Sequence, residues 1–232
     1  MAQHKHIFFD LDHTLWDFEA NSREALSEIY EAFQLSAKGV GELDDYLERY
    51  RAINDECWGQ YRIGNMPKEV LRTERFRRTL KVYGVEDQEL VEKLASEYIR
   101  ISPFKTNLID GTIEVLEYLK AKDYPLHILT NGFEEVQHIK MDRSGLKPYF
   151  ENVITSEQVG VRKPDERAFL EAASIAQAEK EHAAMIGDNL EVDVLGAKRV
   201  GIKEVFFNPY KVDHNEDILH EVHHLTELKN LF

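Results

Sequence analysis

Two carboxylates stand directly behind a short apolar run near the start of the chain, in the sequence Ile7-Phe8-Phe9-Asp10-Leu11-Asp12-His13-Thr14. A short and nearly continuous apolar run is typical of a fully buried parallel strand. At the end of such a strand, Asp10 and Asp12 could supply a nucleophile and a separate proton-transfer group, with a divalent cation relieving their repulsion. The alternative is a polar turn that caps a helix, because Asp and Thr favour such positions.

Four similar apolar runs follow later in the chain. They are Leu126-His127-Ile128-Leu129, Val153-Ile154, Ala183-Ala184-Met185-Ile186 and Val205-Phe206-Phe207. Between the later runs lie helical patterns, at residues 112–122, 133–144, 165–178 and 191–200, with Gly145 and Gly201 closing two of them. The alternation predicts an α/β fold, in which right-handed strand-helix-strand units build a Rossmann-like parallel sheet with helices on both faces.

The stretch from Phe18 to Ser102 interrupts this alternation. It is highly charged and helical in pattern, with apolar residues recurring at helical spacing, among them Leu43, Tyr46, Leu47, Tyr50 and Ile53. The stretch leaves the predicted sheet after its first strand and returns before its second. We therefore predict an all-helical domain at 18–102, inserted into a core domain formed by 1–17 and 103–232.

Three further polar clusters follow predicted strands, where open α/β sheets form their ligand sites. They are Thr130-Asn131-Gly132, Lys163-Pro164, and Gly187-Asp188-Asn189 with Asp193. A hydroxyl and backbone N–H groups at a helix start can cradle phosphate, an ammonium can hold a phosphoryl group, and hard carboxylates suit Mg²⁺. Taken singly, each cluster also fits a structural role as a helix cap, a solvated lysine or a first-turn acid.

In their order and placement the four clusters resemble the haloacid dehalogenase superfamily of phosphohydrolases. Its motifs are D-x-D-x-T, a terminal Ser or Thr, Lys, and G-D-x-x-x-x-D, matched here by Asp10, Asp12 and Thr14, then Thr130, then Lys163, then Gly187, Asp188 and Asp193. The resemblance covers the full length of the chain. In that superfamily a helical cap occupies the interval between the first two motifs, which implies small-molecule substrates enclosed by a helical lid.

The resemblance implies a Mg²⁺-dependent phosphomonoester hydrolase that acts through an aspartyl-phosphate intermediate. Asp10 would be the nucleophile, and Asp12 would serve as general acid and then as general base. The side chains of Asp10 and Asp188 and the backbone carbonyl of Asp12 would hold Mg²⁺.

The resemblance also assigns the remaining motif residues. Thr130, the Asn131 amide and Lys163 would bind the phosphoryl oxygens, whose charge must be neutralised for transfer. Asp193 would support the metal indirectly or hold Lys163, and Thr14 would fix the geometry of the first loop.

A finer resemblance is to bacterial nucleotidases that dephosphorylate pyrimidine nucleoside monophosphates, including noncanonical ones. It is carried by Thr130-Asn131-Gly132-Phe133, Gly145-Leu146 with Tyr149-Phe150, Ser156-Glu157, Val159-Gly160-Val161, and by Asn54, Trp58, Tyr61 and Gly64. His13 stands where that branch carries an acidic residue. The resemblance implies a pyrimidine-preferring 5′-nucleotidase of nucleotide metabolism, whose partner is a nucleoside monophosphate.

Substrate discrimination is expected to come from side chains that a lid brings over the leaving group. Asn54, Trp58 and Tyr61 follow one another at helical spacings of four and three and so share one face. Two aromatic rings can stack on a nucleobase, and an amide can hydrogen-bond to its edge. Trp16, which directly follows the loop of Asp10 and Asp12, is a fourth candidate substrate residue. The alternative is that these side chains pack inside the protein, because Trp is usually well buried.

Other activities of the same architecture define the alternatives. A sugar-phosphate phosphatase or a phosphomutase would use the same motifs, and a phosphomutase would transfer its phosphoryl group to a sugar instead of water. A haloacid dehalogenase would also use an aspartate nucleophile, but no leaving alkoxide there needs a proton from Asp12. A non-enzymatic regulator would have no use for the complete set of motif residues.

Composition sets the outer bounds. With 232 residues, 43% of them apolar, the chain has ample material for a core. A net charge of -14 disfavours nucleic-acid polymers and anionic membranes as partners. The resemblance implies a small phosphate ester as the partner, and we expect a monomer or weak homo-oligomer. The single cysteine, Cys57, and the absence of an apolar run of roughly 20 residues predict a cytoplasmic location.

Overall fold

The computed structural model of the chain describes residues 6–232 and divides them into two compact units. One unit comprises the described residues up to Phe18 together with Thr106–Phe232, and the other comprises Glu19–Lys105. The strands are β1 His6–Phe9, β2 Leu126–Thr130, β3 Asn152–Thr155, β4 Ala183–Gly187, β5 Lys203–Phe207 and β6 His220–Val222. The helices are α1 Phe18–Ala32, α2 Leu43–Arg62, α3 Lys68–Val82, α4 Gln88–Ile101, α5 Thr112–Ala121, α6 Glu134–Arg143, α7 Ser156–Val159, α8 Glu166–Ile175 and α9 Gly196–Val200.

The strands form one parallel sheet in the order β3-β2-β1-β4-β5-β6, which confirms the predicted Rossmann-like α/β class. The five predicted apolar runs all lie in strands. Strand β6 was not predicted, because it spans three residues and only Val222 among them is buried.

Alternating side chains of β1 serve the two faces of the sheet. Ile7 and Phe9 pack with α5 on one face, and Phe8 packs with α8 and α9 on the other. Because both faces are covered, the strand is apolar without interruption, as the sequence pattern indicated.

The segment 191–200, predicted as a regular helix, is irregular in its first half. Residues Leu190–Leu195 form a π-helical turn, and only Gly196–Val200 is α-helical. Wide π turns are rare and concentrate at functional sites. Here the turn carries Asp193, whose buried carboxylate points back toward the loop that follows β4.

The register of the sheet aligns the strand ends from which the motif loops begin. Phe9 lies opposite Ile128 on β2 and Ile186 on β4, and the backbone N–H of Asp10 donates to the Ile186 carbonyl at 2.9 Å. The carboxyl ends of β1, β2 and β4 therefore lie side by side. Residues that follow these strands are delivered to one edge of the sheet.

The second unit, Glu19–Lys105, is helical in all its regular elements. Its core is rich in aromatic rings, including Tyr46, Tyr50 and Phe76, so the helical spacing of the two tyrosines reflects packing inside the unit. Cys57 is buried there too. Within residues 6–232, no helix has the length and apolar character needed to cross a membrane.

Candidate active site

Lys163 lies at the centre of the motif residues. Its side chain is 1% exposed, and its ammonium donates to Oδ1 of Asp10 at 2.7 Å, to Oδ1 of Asp193 at 2.6 Å and to the Leu129 carbonyl at 2.6 Å. A buried ammonium is tolerated when it is paired and fully hydrogen-bonded. The first, third and fourth sequence motifs thus meet at one cation.

The carboxylates around Lys163 carry more negative charge than one ammonium offsets. Burial raises the pKa of Asp10 to about 8, although Lys163 opposes the rise, and Asp193 and Asp188 add to it. Burial and Asp193 raise the pKa of Asp188 to about 7. For Lys163, burial opposes the charged form, yet Asp10 and Asp193 raise its pKa above the usual value. The site therefore favours an additional positive charge.

The carboxylate oxygens fit a divalent cation. Ligand atoms of Asp10, Asp188 and Asp193 all lie within 4.8 Å of one another, and Mg²⁺ is typically bound by one or two carboxylates together with phosphate oxygens. Both oxygens of Asp193 are already engaged, one by Lys163 and one by the backbone N–H of Asn189 at 3.1 Å. Asp10 and Asp188 are thus the carboxylates best suited to bind the cation directly.

Thr14 joins the first motif to the fourth. Its hydroxyl donates to Oδ1 of Asp188 at 3.1 Å and accepts from the Asp188 backbone N–H at 3.1 Å. Thr14 is buried, so water does not compete for either bond. Between the two motif carboxylates and Thr14 the chain passes through His13 in a left-handed conformation, with φ +66°.

The loop after β2 differs from the expected phosphate cradle. The backbone N–H of Gly132 donates to Oγ1 of Thr130 at 3.1 Å and so points back into its own loop. The Asn131 side chain donates to the Lys163 carbonyl and accepts from the Lys163 N–H, both at 2.9 Å. The side-chain amide of Asn131 is therefore engaged by the Lys163 backbone, which leaves the backbone N–H of Asn131 as the group of this residue that could contact a phosphate.

Asp12 is held by two side chains that the sequence analysis missed. Gln137 donates to its Oδ2 at 2.9 Å, and Lys140 donates to its Oδ1 at 2.5 Å. Both donors lie on α6, where polar residues on an amphipathic helix would ordinarily be assigned to the solvent face. In the sequence, their role is indicated only by their spacing of three residues and by their place shortly after the second motif.

Two motif glycines leave room for these side chains. A Cβ atom on Gly187 would lie 2.5 Å from the carboxyl group of Asp193, and one on Gly132 would overlap the amide of Gln137. Neither position could hold a larger residue without displacing a group that bonds to the site.

The predicted substrate residues fall in different surroundings. Trp16 belongs to the sheet unit, is 1% exposed, and has the Lys140 ammonium 4.1 Å from its ring centre. In the helical unit, Asn54 is buried and accepts from the Arg75 guanidinium at 3.1 Å, and Tyr61 is buried as well. Trp58 is half-buried, with its ring edge-on to Tyr61 at 5.3 Å. Of the four, Trp58 presents the most open surface.

Comparison with known proteins places the chain in a family. Residues 4–201 match the haloacid dehalogenase-like hydrolase family, so the chain belongs to it. Pyrimidine 5′-nucleotidase PynA of Streptococcus pneumoniae is 32% identical over 91% of this chain and 87% of its own. Pyrimidine 5′-nucleotidase YjjG of Escherichia coli is 28% identical over 91% and 89%.

A solved structure agrees with the fold over nearly the whole chain. The magnesium-bound crystal structure of YfnB from Bacillus subtilis superposes with a TM-score of 0.87, at 29% identity, covering 99% of this chain and 98% of that one. Together with the family and its relatives, the likeness identifies the chain as a phosphoric monoester hydrolase.

Proposed function

We propose that this haloacid dehalogenase-like hydrolase is a Mg²⁺-dependent nucleoside 5′-monophosphate phosphatase that prefers pyrimidine deoxynucleotides. The observation that carries the proposal is the pairing of buried Asp10 with the Lys163 ammonium, while Asp12 stands apart with its own donors. The two carboxylates thus have different surroundings, as two different chemical roles require. The likeness to two pyrimidine 5′-nucleotidases supports the substrate class.

Asp10 is the proposed nucleophile. Its carboxylate oxygen forms a bond to phosphorus in line with the leaving oxygen, and the phosphorus–oxygen ester bond breaks. Asp12 gives its proton to the departing alkoxide. In the second step Asp12 takes a proton from water as the water oxygen attacks phosphorus, which releases inorganic phosphate and restores the Asp10 carboxylate.

Positive charge and hydrogen-bond donors around the phosphoryl group lower the barrier to transfer. Lys163 already touches Asp10, so its ammonium stands where negative charge is delivered to phosphorus. The Thr130 hydroxyl accepts hydrogen bonds from the Gly132 backbone N–H and from the Gln137 side-chain amide on α6, so its O–H is the proposed donor to a phosphoryl oxygen. The backbone N–H of Asn131 is the proposed third donor.

The side chains of Asp10 and Asp188 and the backbone carbonyl of Asp12 would hold Mg²⁺. When bound, the ion supplies charge that shields the phosphoryl oxygens from the approaching carboxylate. The burial-driven rise of the Asp10 and Asp188 pKa values supports this assignment, because a cation would remove the cost of ionising both groups.

The helical segment 18–102 is the proposed cap. The motif residues handle only the phosphoryl group, so discrimination between leaving groups requires other side chains. Trp58 is the proposed stacking partner of the base, since aromatic side chains bind bases through their faces. A sugar-phosphate phosphatase is the second candidate function, because a glyceraldehyde 3-phosphate phosphatase is among the relatives.

A phosphate-release screen tests the proposal. The purified enzyme with Mg²⁺ is assayed on nucleoside 5′-monophosphates, deoxynucleotides, hexose phosphates and triose phosphates, with Asp10→Asn as the background. We expect the highest kcat/KM on pyrimidine deoxynucleotides, and loss of activity in EDTA that added Mg²⁺ restores. Preference for a sugar phosphate would contradict the nucleotidase assignment, and full activity in EDTA would contradict the metal dependence.

A further inference from the structure

We propose that Gln137 and Lys140 are positioning residues that hold Asp12 in the orientation needed for proton transfer. The proposal rests on the acid–base role of Asp12 in the proposed function. It assigns a task to α6, a helix that carries none of the four sequence motifs.

The two donors bind different oxygens of one carboxylate. Gln137 donates to Oδ2 and Lys140 to Oδ1, and both project from the same face of α6 because they are three residues apart. A carboxylate bound at both oxygens cannot rotate about its Cβ–Cγ bond without losing a hydrogen bond. Asp12 itself is only half-buried, so its orientation must come from these partners.

Burial makes both donors rigid. Gln137 is fully buried, and Lys140 is 5% exposed. The Lys140 ammonium contacts Asp12 and also lies 4.1 Å from the centre of the Trp16 ring. An ammonium over an aromatic face is stabilised by the ring's quadrupole. Trp16, predicted to contact substrate, thus supports the lysine that holds Asp12.

Gln137 also links Asp12 to the second motif. Its Nε2 donates to Oδ2 of Asp12 at 2.9 Å and to Oγ1 of Thr130 at 2.8 Å, one bond for each amide hydrogen. The amide therefore sets the spacing between the proton-transfer group and the hydroxyl proposed to bind a phosphoryl oxygen. Gly132 leaves the space that this amide fills.

Lys140 has an additional electrostatic effect. When Asp12 transfers its proton to the leaving oxygen, the ester bond breaks, the alcohol departs neutral, and Asp12 becomes a carboxylate. That new negative charge forms 2.5 Å from the Lys140 ammonium and is stabilised by it. An ester whose leaving group needs no proton gains nothing from this arrangement in the first step. The value of kcat/KM, which reports the steps through departure of the alcohol, therefore isolates it.

The experiment compares an alkyl ester with an aryl ester. Lys140→Met and Gln137→Leu each remove one donor while keeping comparable volume. For each variant, kcat/KM is measured on the best nucleotide and on p-nitrophenyl phosphate, because this ratio excludes hydrolysis of the phosphoenzyme, in which Asp12 serves both esters alike. Lys147→Met is the matched control, because Lys147 pairs with Asp142 at the surface behind the same helix.

We expect each variant to lower kcat/KM on the nucleotide by roughly ten- to a hundredfold more than kcat/KM on the aryl ester, because general-acid catalysis usually contributes a factor of about that size or more. Lys140→Arg should recover part of the loss, because it restores a cation and a donor. Lys147→Met should leave both activities unchanged.

Equal losses of kcat/KM on both esters, or no loss on either, would overturn the positioning role. Because Lys140 is buried, its loss could destabilise the fold, and Gln137→Leu then provides the decisive comparison. Asp12→Asn separates this proposal from the one it rests on: if Asp12→Asn is selective for the alkyl ester and the other variants are not, only the positioning role is wrong. If the wild-type enzyme prefers a sugar phosphate, that ester replaces the nucleotide and the comparison stands.

Discussion

Thr14 and Asp188, which are 174 positions apart in the sequence, are joined by two hydrogen bonds that both involve the Thr14 hydroxyl. The hydroxyl donates to the Asp188 carboxylate and accepts from its backbone N–H, so it fixes both the side chain and the loop of a proposed metal ligand. Loss of a partner that orients a metal ligand typically lowers metal affinity by roughly ten- to a hundredfold.

Replacing Thr14 by Val should weaken Mg²⁺ binding, because the isosteric side chain loses both bonds to Asp188. We expect the Mg²⁺ concentration for half-maximal activity to rise by roughly ten- to a hundredfold, the usual effect of removing such a partner. A Mg²⁺ titration of activity measures it, with Thr14→Ser as the control that keeps the hydroxyl. An unchanged titration would show that Thr14 has no influence on the metal site.

Replacing Asp10 by Asn should abolish turnover without weakening the fold. An amide cannot attack phosphorus, so activity should fall below roughly a thousandth of wild type, on the scale of nucleophile loss. Because burial raises the pKa of Asp10 to about 8, the neutral amide removes a poorly solvated charge, and thermal unfolding in EDTA should occur at the same or a higher temperature. Turnover above that level would argue against covalent catalysis through Asp10.

Replacing Asp12 by Ala should uncouple the two chemical steps. With an aryl phosphate the leaving group departs without a proton, so the phosphoenzyme should still form, while its hydrolysis lacks a general base. Rapid quenching followed by intact-mass measurement should detect an added phosphoryl group on Asp12→Ala and not on Asp10→Asn. Wild-type turnover of the aryl ester by Asp12→Ala would refute the general-base assignment.

Acid should destabilise the protein through His127. This residue is buried in β2, and burial, followed by the neighbouring His6, lowers its pKa to about 4. In the unfolded chain the pKa of His127 is near the ordinary 6.5, so His127 binds a proton there at pH values where it stays neutral in the folded protein. The free energy of unfolding therefore falls as the pH drops from 6.5 toward 4. Between pH 7 and pH 5 the loss from this group should be about 2 kcal/mol.

Urea denaturation at several pH values checks this contribution. His127→Gln cannot titrate, so its stability should fall less between pH 7 and pH 5 than that of wild type. Parallel pH profiles for the two proteins would assign the acid sensitivity to other groups.

Trp58 and Asn54 should respond differently to truncation. Trp58→Ala should lower kcat/KM for nucleotides by roughly ten- to a hundredfold, the worth of one stacked base, and spare an aryl phosphate. Asn54→Ala should instead lower the free energy of unfolding by about 1–3 kcal/mol, because the buried Arg75 guanidinium loses an acceptor. Phosphate release and thermal unfolding on both variants distinguish the outcomes, and equal losses of Trp58→Ala on all esters would point to misfolding.

The sequence predicted the strands, and the site residues that directly follow a strand, because both depend on local pattern and on the direction of the chain. Ile7-Phe8-Phe9 could be predicted as a central strand because both sheet faces demand apolar residues, and the residues behind it then had to lie at the carboxyl edge. Gln137 and Lys140 could not be assigned, because nothing local shows that a helix turns its polar side chains inward onto Asp12. The edge strand containing Val222 was missed because it has one buried residue and no repeating pattern.

The place of β1 in the sheet has a consequence for synthesis on the ribosome. Ile7 pairs with Leu126 on one side and with Ala184 on the other, so the strand that carries the proposed nucleophile is translated first but gains its second neighbour only when β4 is made. Such distant pairings slow folding and leave an apolar strand without its neighbours in the meantime. The entire segment 19–105 is translated before β2 exists, and Asp188 follows only after β4. A nascent chain therefore carries Asp10 through most of elongation without Lys163, whose ammonium is its partner in the folded protein.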